Sequence, residues 1–203
     1  MAMFSLVDGW DQVPYRENTA NSEEVPKVRE GTAALDYIIA ELNAIIADLP
    51  VGPANRANKD AARVLLMKCL LNKGVIANRA APTFAPADMN QVITLAGQVM
   101  TSSRGYTLEA NFFDAYAPTN DAISKENIWT AENIGGSSSG NVRSRWFCGL
   151  HYNQNPSGWN GFTTLSDFYG KFEAADKRRG GNPYPGSTQG VLPGFLIGQQ
   201  YNG

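Results

Sequence analysis

The sequence predicts a mainly α-helical chain of tetratricopeptide-like helical hairpins, followed by a loop-rich region with little β-structure. Three observations lead there. Between Thr32 and Met100, apolar residues recur every three or four positions. The breaks between those stretches carry Pro and Gly, which cannot extend a helical hydrogen-bond ladder. After Tyr106 the periodicity gives way to tracts of Gly, Ser, Asn and aromatic residues. The 203 residues read as one region, with a helical part over 1–105 and a loop-rich part over 106–203.

TAALDYIIAELNAIIADL places Leu35, Ile38, Ile39, Leu42, Ile45, Ile46 and Leu49 at helical spacing, with Thr32 available as N-cap. PVGPANRAN then breaks the pattern. A second helix is expected from Lys59 to Lys73, capped by Asn58, with Ala61, Ala62, Leu65, Leu66, Cys69 and Leu70 on one face and Gly74 closing it. Pro86 suits a first helical position, and Met89, Val92, Ile93, Ala96, Val99 and Met100 form a third stripe that Gly105 ends. Beyond it stand a short helical candidate at Ala110–Tyr116 and a strand-like run at Asn127–Thr130. A helix over Leu165–Ala175 is expected to bury Leu165, Phe168, Tyr169 and Phe172, and a brief apolar strand in GFLIGQQY follows.

Lys and Arg number 17 against 19 Asp and Glu, a net charge of -2, which gives no electrostatic footprint for nucleic acid or anionic lipid. Lys177-Arg178-Arg179 reads as a solvated helix end. Cys69 and Cys148 fit no metal-site spacing, so neither metal nor cofactor is expected, and their pairing is left open. No apolar run reaches the length of a membrane span, and MAMFSLVDGW lacks the pattern of an export signal.

Acid-base or nucleophilic chemistry needs a base held beside a nucleophile and oriented by a third group. His151 is the only histidine, and the sequence carries no GxSxG, HExxH, GxGxxG or P-loop pattern. A carboxylate pair suited to glycoside hydrolysis cannot be nominated among the 19 acids. The chain reads as non-catalytic.

Seven blocks in order across the chain bear a resemblance. They are Gly9-Trp10-Asp11-Gln12-Val13-Pro14-Tyr15, Leu35-Asp36-Tyr37 with Glu41-Leu42, and Ala61-Ala62-Arg63 through Leu70-Leu71-Asn72. Next come Gly105-Tyr106-Thr107-Leu108 with Asn111-Phe112-Phe113, and Ser124-Lys125-Glu126-Asn127-Ile128-Trp129. Gly158-Trp159-Asn160-Gly161 with Thr163-Thr164 and Asp167-Phe168-Tyr169 leads to Asp176-Lys177-Arg178. In that order they resemble the SusD/RagB-like family of glycan-binding lipoproteins on Bacteroidota outer membranes. The family's members are longer, so the chain is expected to be an internal piece of such a protein. The resemblance implies a helical scaffold docking on a SusC-like TonB-dependent transporter, a loop-rich face holding oligosaccharide or another nutrient, and a surface-exposed parent at the outer membrane. The alternative is a protein-interaction scaffold, or a peptide-binding component of such an importer.

HYNQNPSGWNGFTT concentrates rings and amides without a carboxylate or ammonium group. A sugar presents an apolar C-H face, which flat rings cover, and a rim of hydroxyls, which amides satisfy as both donors and acceptors. The expected glycan-binding residues are therefore Trp146, Tyr152, Trp159, Asn155 and Asn160. Trp159 lies in a block that also suits a role in the core. Asp176 and Arg178 are expected to form a structural ion pair.

Overall fold

A computed structural model describes residues 1–17, 21, 23–117, 119–132, 159, 165–176 and 178. The described part is mainly helical with one small sheet, and the chain divides into two compact units. The first comprises Met1–Leu108 and Lys125–Thr130, and the second comprises Glu109–Ser124 and Ala131–Gly203.

The first unit opens with helix α1, Ala2–Trp10, which ends where Asp11 turns left-handed (φ 60°) and donates its N–H to the Val7 carbonyl. Strand β1, Gln12–Tyr15, pairs antiparallel with β2, Lys27–Glu30, in the register Gln12 to Glu30 through Tyr15 to Lys27. Neither α1 nor this ribbon is anticipated by the sequence reading. Four-residue strands give too few alternations to register, and Pro14 interrupts the first. Gly31 follows at φ +47°, a conformation that suits glycine, and its N–H reaches back 3.0 Å to the Asp11 carbonyl. That bond joins the end of α1 to the start of α2.

Helix α2 is Gly31–Ile45, α3 is Lys59–Ala77 and α4 is Pro86–Met100. Each packs on the next, with α1 against α2, α2 against α3, and α3 against α4. The core is drawn from their facing stripes: Val7 and Val13, then Ala34, Leu35, Ile38 and Leu42, then Ala62, Leu66, Cys69 and Leu70, and finally Leu95. Lys73 on α3 reaches Asp36 on α2 at 2.8 Å, and this hydrogen bond holds the ammonium above its ordinary pKa despite partial desolvation.

Several boundaries depart from the sequence reading. Glu30, rather than Thr32, precedes α2, and its side chain makes no capping bond. The helix ends at Ile45, so Leu49 lies in the turn beyond it. Leu35, Ile38 and Leu42 are buried as expected, but Ile45 is exposed. On α4, Val99 is buried, whereas Ile93 and Met100 face outward and Leu95 takes their place in the core. A stripe rotated by about one residue explains this, since 100° per residue carries neighbouring positions to different faces.

Asn58 caps α3 as expected, but the helix runs through Gly74 to Ala77. Gly74 is therefore an interior helical residue, and its reason is steric. A Cβ there would fall inside the Thr83 carbonyl group of the connection that leads to α4. Gly105 stands apart from α4, which ends at Met100, and closes a turn through its N–H to the Ser102 carbonyl.

In the second unit, Phe112–Tyr116 forms a 3-10 helix and Asn120–Ile123 a one-turn helix, α5. Only Ser166–Tyr169 (α6) of the expected 165–175 helix is helical, with turns after it. Leu165 and Phe168 are exposed, which corrects the expectation that they are core. The run Asn127–Thr130, in the first unit, is irregular rather than strand. The apolar strand expected in GFLIGQQY lies outside the described residues.

Two glycines give opposite expectations in the same assay. Gly74→Ala should lower stability by about 1–3 kcal/mol, because overpacking exceeds the ~1 kcal/mol that alanine gains in a helix. Gly97 on α4 has open space where a Cβ would stand, with nothing within 4 Å, so Gly97→Ala should raise stability by about 0.5–1 kcal/mol. Urea denaturation of the two variants measures both.

Cys69 is a free thiol with no solvent exposure, and its burial pushes the pKa from 9.0 up to about 11. The folded protein therefore holds this proton more tightly than the unfolded chain. The associated stability is complete below about pH 9 and is lost as pH rises toward 11. In a Cys148→Ser background, thiol-reagent labelling at pH 8 should proceed only as fast as the core opens.

Candidate functional site

Of the five expected glycan-binding residues, one falls within the described residues. Trp159 is 64% exposed, so its ring is offered to solvent rather than committed to a core. Trp146, Tyr152, Asn155 and Asn160 lie outside the described residues, as does His151.

The described residues of the second unit carry a further group of rings. The 3-10 helix brings Phe112 against Phe113 edge-on, with centroids 5.2 Å apart, and against Tyr116 at 5.4 Å and 43°. Phe112 and Tyr116 stand four residues apart on one side of that turn and are both exposed, Tyr116 to 71%. Ala115 is buried beneath them. Asn111 donates to the Asp114 carboxylate at 2.7 Å, and Asn120 donates to the Ala115 carbonyl at 2.9 Å, fixing both ends of the turn.

Arg178 joins this turn to a second pair of rings. Its guanidinium lies 5.7 Å from the Phe112 centroid and 5.2 Å from that of Phe172, which meets Phe168 edge-on at 5.3 Å. Asp176 orients it. The Arg178 Nε lies 3.0 and 3.1 Å from the two carboxylate oxygens, Nη2 forms an ion pair, and the Arg178 backbone N–H adds a bond of 2.9 Å. These bonds draw the Asp176 pKa below the usual carboxylate value and raise that of Arg178. The expected ion pair is present, and its role is to hold a cation over rings.

The first unit contributes two polar clusters. Arg29 on β2 stacks its guanidinium over Tyr15 (4.2 Å) and Tyr37 (3.9 Å), rings themselves 6.4 Å apart. The enclosed Arg29 Nε has the ring faces around it and no hydrogen-bond acceptor. The other cluster lies at the start of α3. Asp60 is fully buried, with Arg63 at 2.8 Å on one oxygen and the Ser102 hydroxyl donating at 2.6 Å to the other. Burial and the nearby Asp60 charge raise the Tyr106 pKa, against the pull of Arg104.

Chemically, these are surfaces and supports. Asp60 and Asp176 are engaged by arginines, Asp36 by Lys73 and Asp114 by Asn111. No group of three His, Cys, Asp or Glu suited to a metal occurs among the described residues. No described helix is long and apolar enough to cross a membrane. A scan against protein-family models gives no match, and comparison with curated proteins gives none.

Sequence reasoning passed over Phe112 and Tyr116 as ring donors, noting Phe112 only within a block. Four residues separate Phe112 from Tyr116 and Phe168 from Phe172, but neither pair spans a regular α-helix, so spacing alone did not mark them. The cluster of Tyr15, Arg29 and Tyr37 had no sequence signal either, because the pairing of two short strands creates it.

Proposed function

We propose that the chain is the non-catalytic binding region of a SusD/RagB-like protein, holding an oligosaccharide for a SusC-like outer-membrane transporter. The observation that carries this reading is the exposed ring of Trp159, set in a segment of amides without formal charge. Such a ring covers the C-H face of a sugar, and neighbouring amides suit its hydroxyls. The exposed rings of Phe112 and Tyr116 in the same unit support it, as does the order of the sequence blocks. The helical unit serves as the scaffold, and the parent protein is placed at the cell surface by resemblance alone.

A second reading, a scaffold that captures peptide segments, draws on the outward-facing Ile93 and Met100 of α4. An apolar helix face of this kind suits another chain better than a sugar.

Calorimetric titration of the full-length parent with a panel of oligosaccharides discriminates between them. Trp159→Ala should weaken binding by about 2- to 12-fold, the equivalent of one stacking contact of about 0.5–1.5 kcal/mol, with the unfolding midpoint unchanged. Binding of peptides and of no sugar by the folded parent would overturn the glycan reading.

A further inference from the structure

We infer that Lys125–Thr130 is a detachable strap keyed by Asn58, which opens as a unit while the helices α1 to α4 stay folded. Its opening releases the neck of the ring-bearing segment Glu109–Ser124. This goes beyond the binding reading and stands whether or not that reading holds.

The path of the chain sets up the device. It leaves the first unit after Leu108, contributes Glu109–Ser124 to the second, and returns to the first as Lys125–Thr130 before leaving again at Ala131. The Thr107 N–H donates 3.3 Å to the Lys125 carbonyl, so the two ends of the excursion are pinned together within the first unit. A compact excursion of sixteen residues with joined ends has the form of an Ω-loop, whose geometry depends on its neck.

Asn58 supplies the key. Its side chain is 1% exposed and divides its work in two directions. Oδ1 accepts from the Ala61 N–H at 2.8 Å, capping α3. Nδ2 donates to the Ile128 carbonyl of the strap at 3.1 Å and faces the carbonyls of Arg56 (3.1 Å) and Pro53 (3.4 Å) in the preceding connection. The Thr130 N–H then donates 3.0 Å to the Ala54 carbonyl of that connection. None of the buried hydrophobic residues lies in 125–130, and Trp129 is exposed. Backbone bonds thus hold the strap at Lys125, Ile128 and Thr130, while the helices are held by burial. A segment that buries no apolar side chain opens at lower free energy than a packed core, so the two parts separate into different cooperative units.

Amide hydrogen exchange of the full chain tests this directly, with Thr107 and Thr130 as reporters of the strap and Leu66 and Leu70 as reporters of α3. In the unaltered protein the strap amides should exchange at least tenfold faster than those of α3. Asn58→Ser retains a capping oxygen but removes the amide donor, so it should speed Thr107 and Thr130 a further tenfold or more. Tryptic cleavage after Lys125 should rise with them, and Leu66 and Leu70 should be little changed. Thr130→Pro removes the bond to Ala54 without touching the cap; with no amide left at position 130, Thr107 is its reporter and should exchange tenfold faster or more, with cleavage after Lys125 rising as well. If Thr107 and Thr130 in the unaltered protein exchange only as slowly as Leu66 and Leu70, the strap is part of the global unit and the inference is wrong. The same conclusion follows if either variant folds and leaves the Thr107 amide unchanged. The unaltered protein decides the matter even if both variants fail to fold.

Discussion

The fold turns on one buried carboxamide. Asn58 stands where a loop, a helix and a returning segment meet, a place with several backbone carbonyls and little apolar cover. An unsatisfied buried carbonyl or amide costs about 1–3 kcal/mol, and a single side chain with an acceptor on one side and two donor hydrogens on the other meets these needs together. Aspartate would offer only acceptors, and leucine would offer nothing. The capping contribution alone is about 1 kcal/mol. Next to it Asp60, also in the first turn of α3, binds Ser102 beyond the end of α4. The first turn of the central helix therefore organises three loops through polar contacts, and the apolar stripes organise the helices.

This division of labour accounts for how the two kinds of structure behave along the chain. The helical stack is built from local stripes and consecutive packing, an arrangement in which each element needs only its neighbours. In the described residues of the second unit, order is carried by short turns, ring contacts and an arginine locked to an aspartate. Such a surface keeps large aromatic side chains at the boundary with water. Among the described residues of that unit, Ala115 is buried while Phe112 and Tyr116 are exposed.

Helices α2, α3 and α4 and most of their inward faces were legible in the sequence because the 3.6-residue period is written over fifteen or more positions. The end of α3 was not, because Gly74 is a usual helix stop in local terms and only the approach of Thr83, nine residues on, explains it as an interior residue. The ribbon of β1 and β2 escaped notice for a related reason, since its strands are four residues each and its outermost pairing partners are many positions apart. Near the candidate site, the ion pair of Asp176 and Arg178 was legible from their spacing, whereas composition left Trp159 between core and surface. What composition could not supply is the stacking of Arg178 on Phe112 from a segment more than sixty residues away.

Pro14 has an effect beyond the ribbon it belongs to. A proline can pair with Val28 only where its nitrogen points away from β2, so it stands on the outer rim of β1. That rim lacks a donor at mid-length, and a further strand from another molecule laid along it would lose a rung there. The described two-stranded sheet is thereby poorly suited to seed fibrillar growth in a crowded medium.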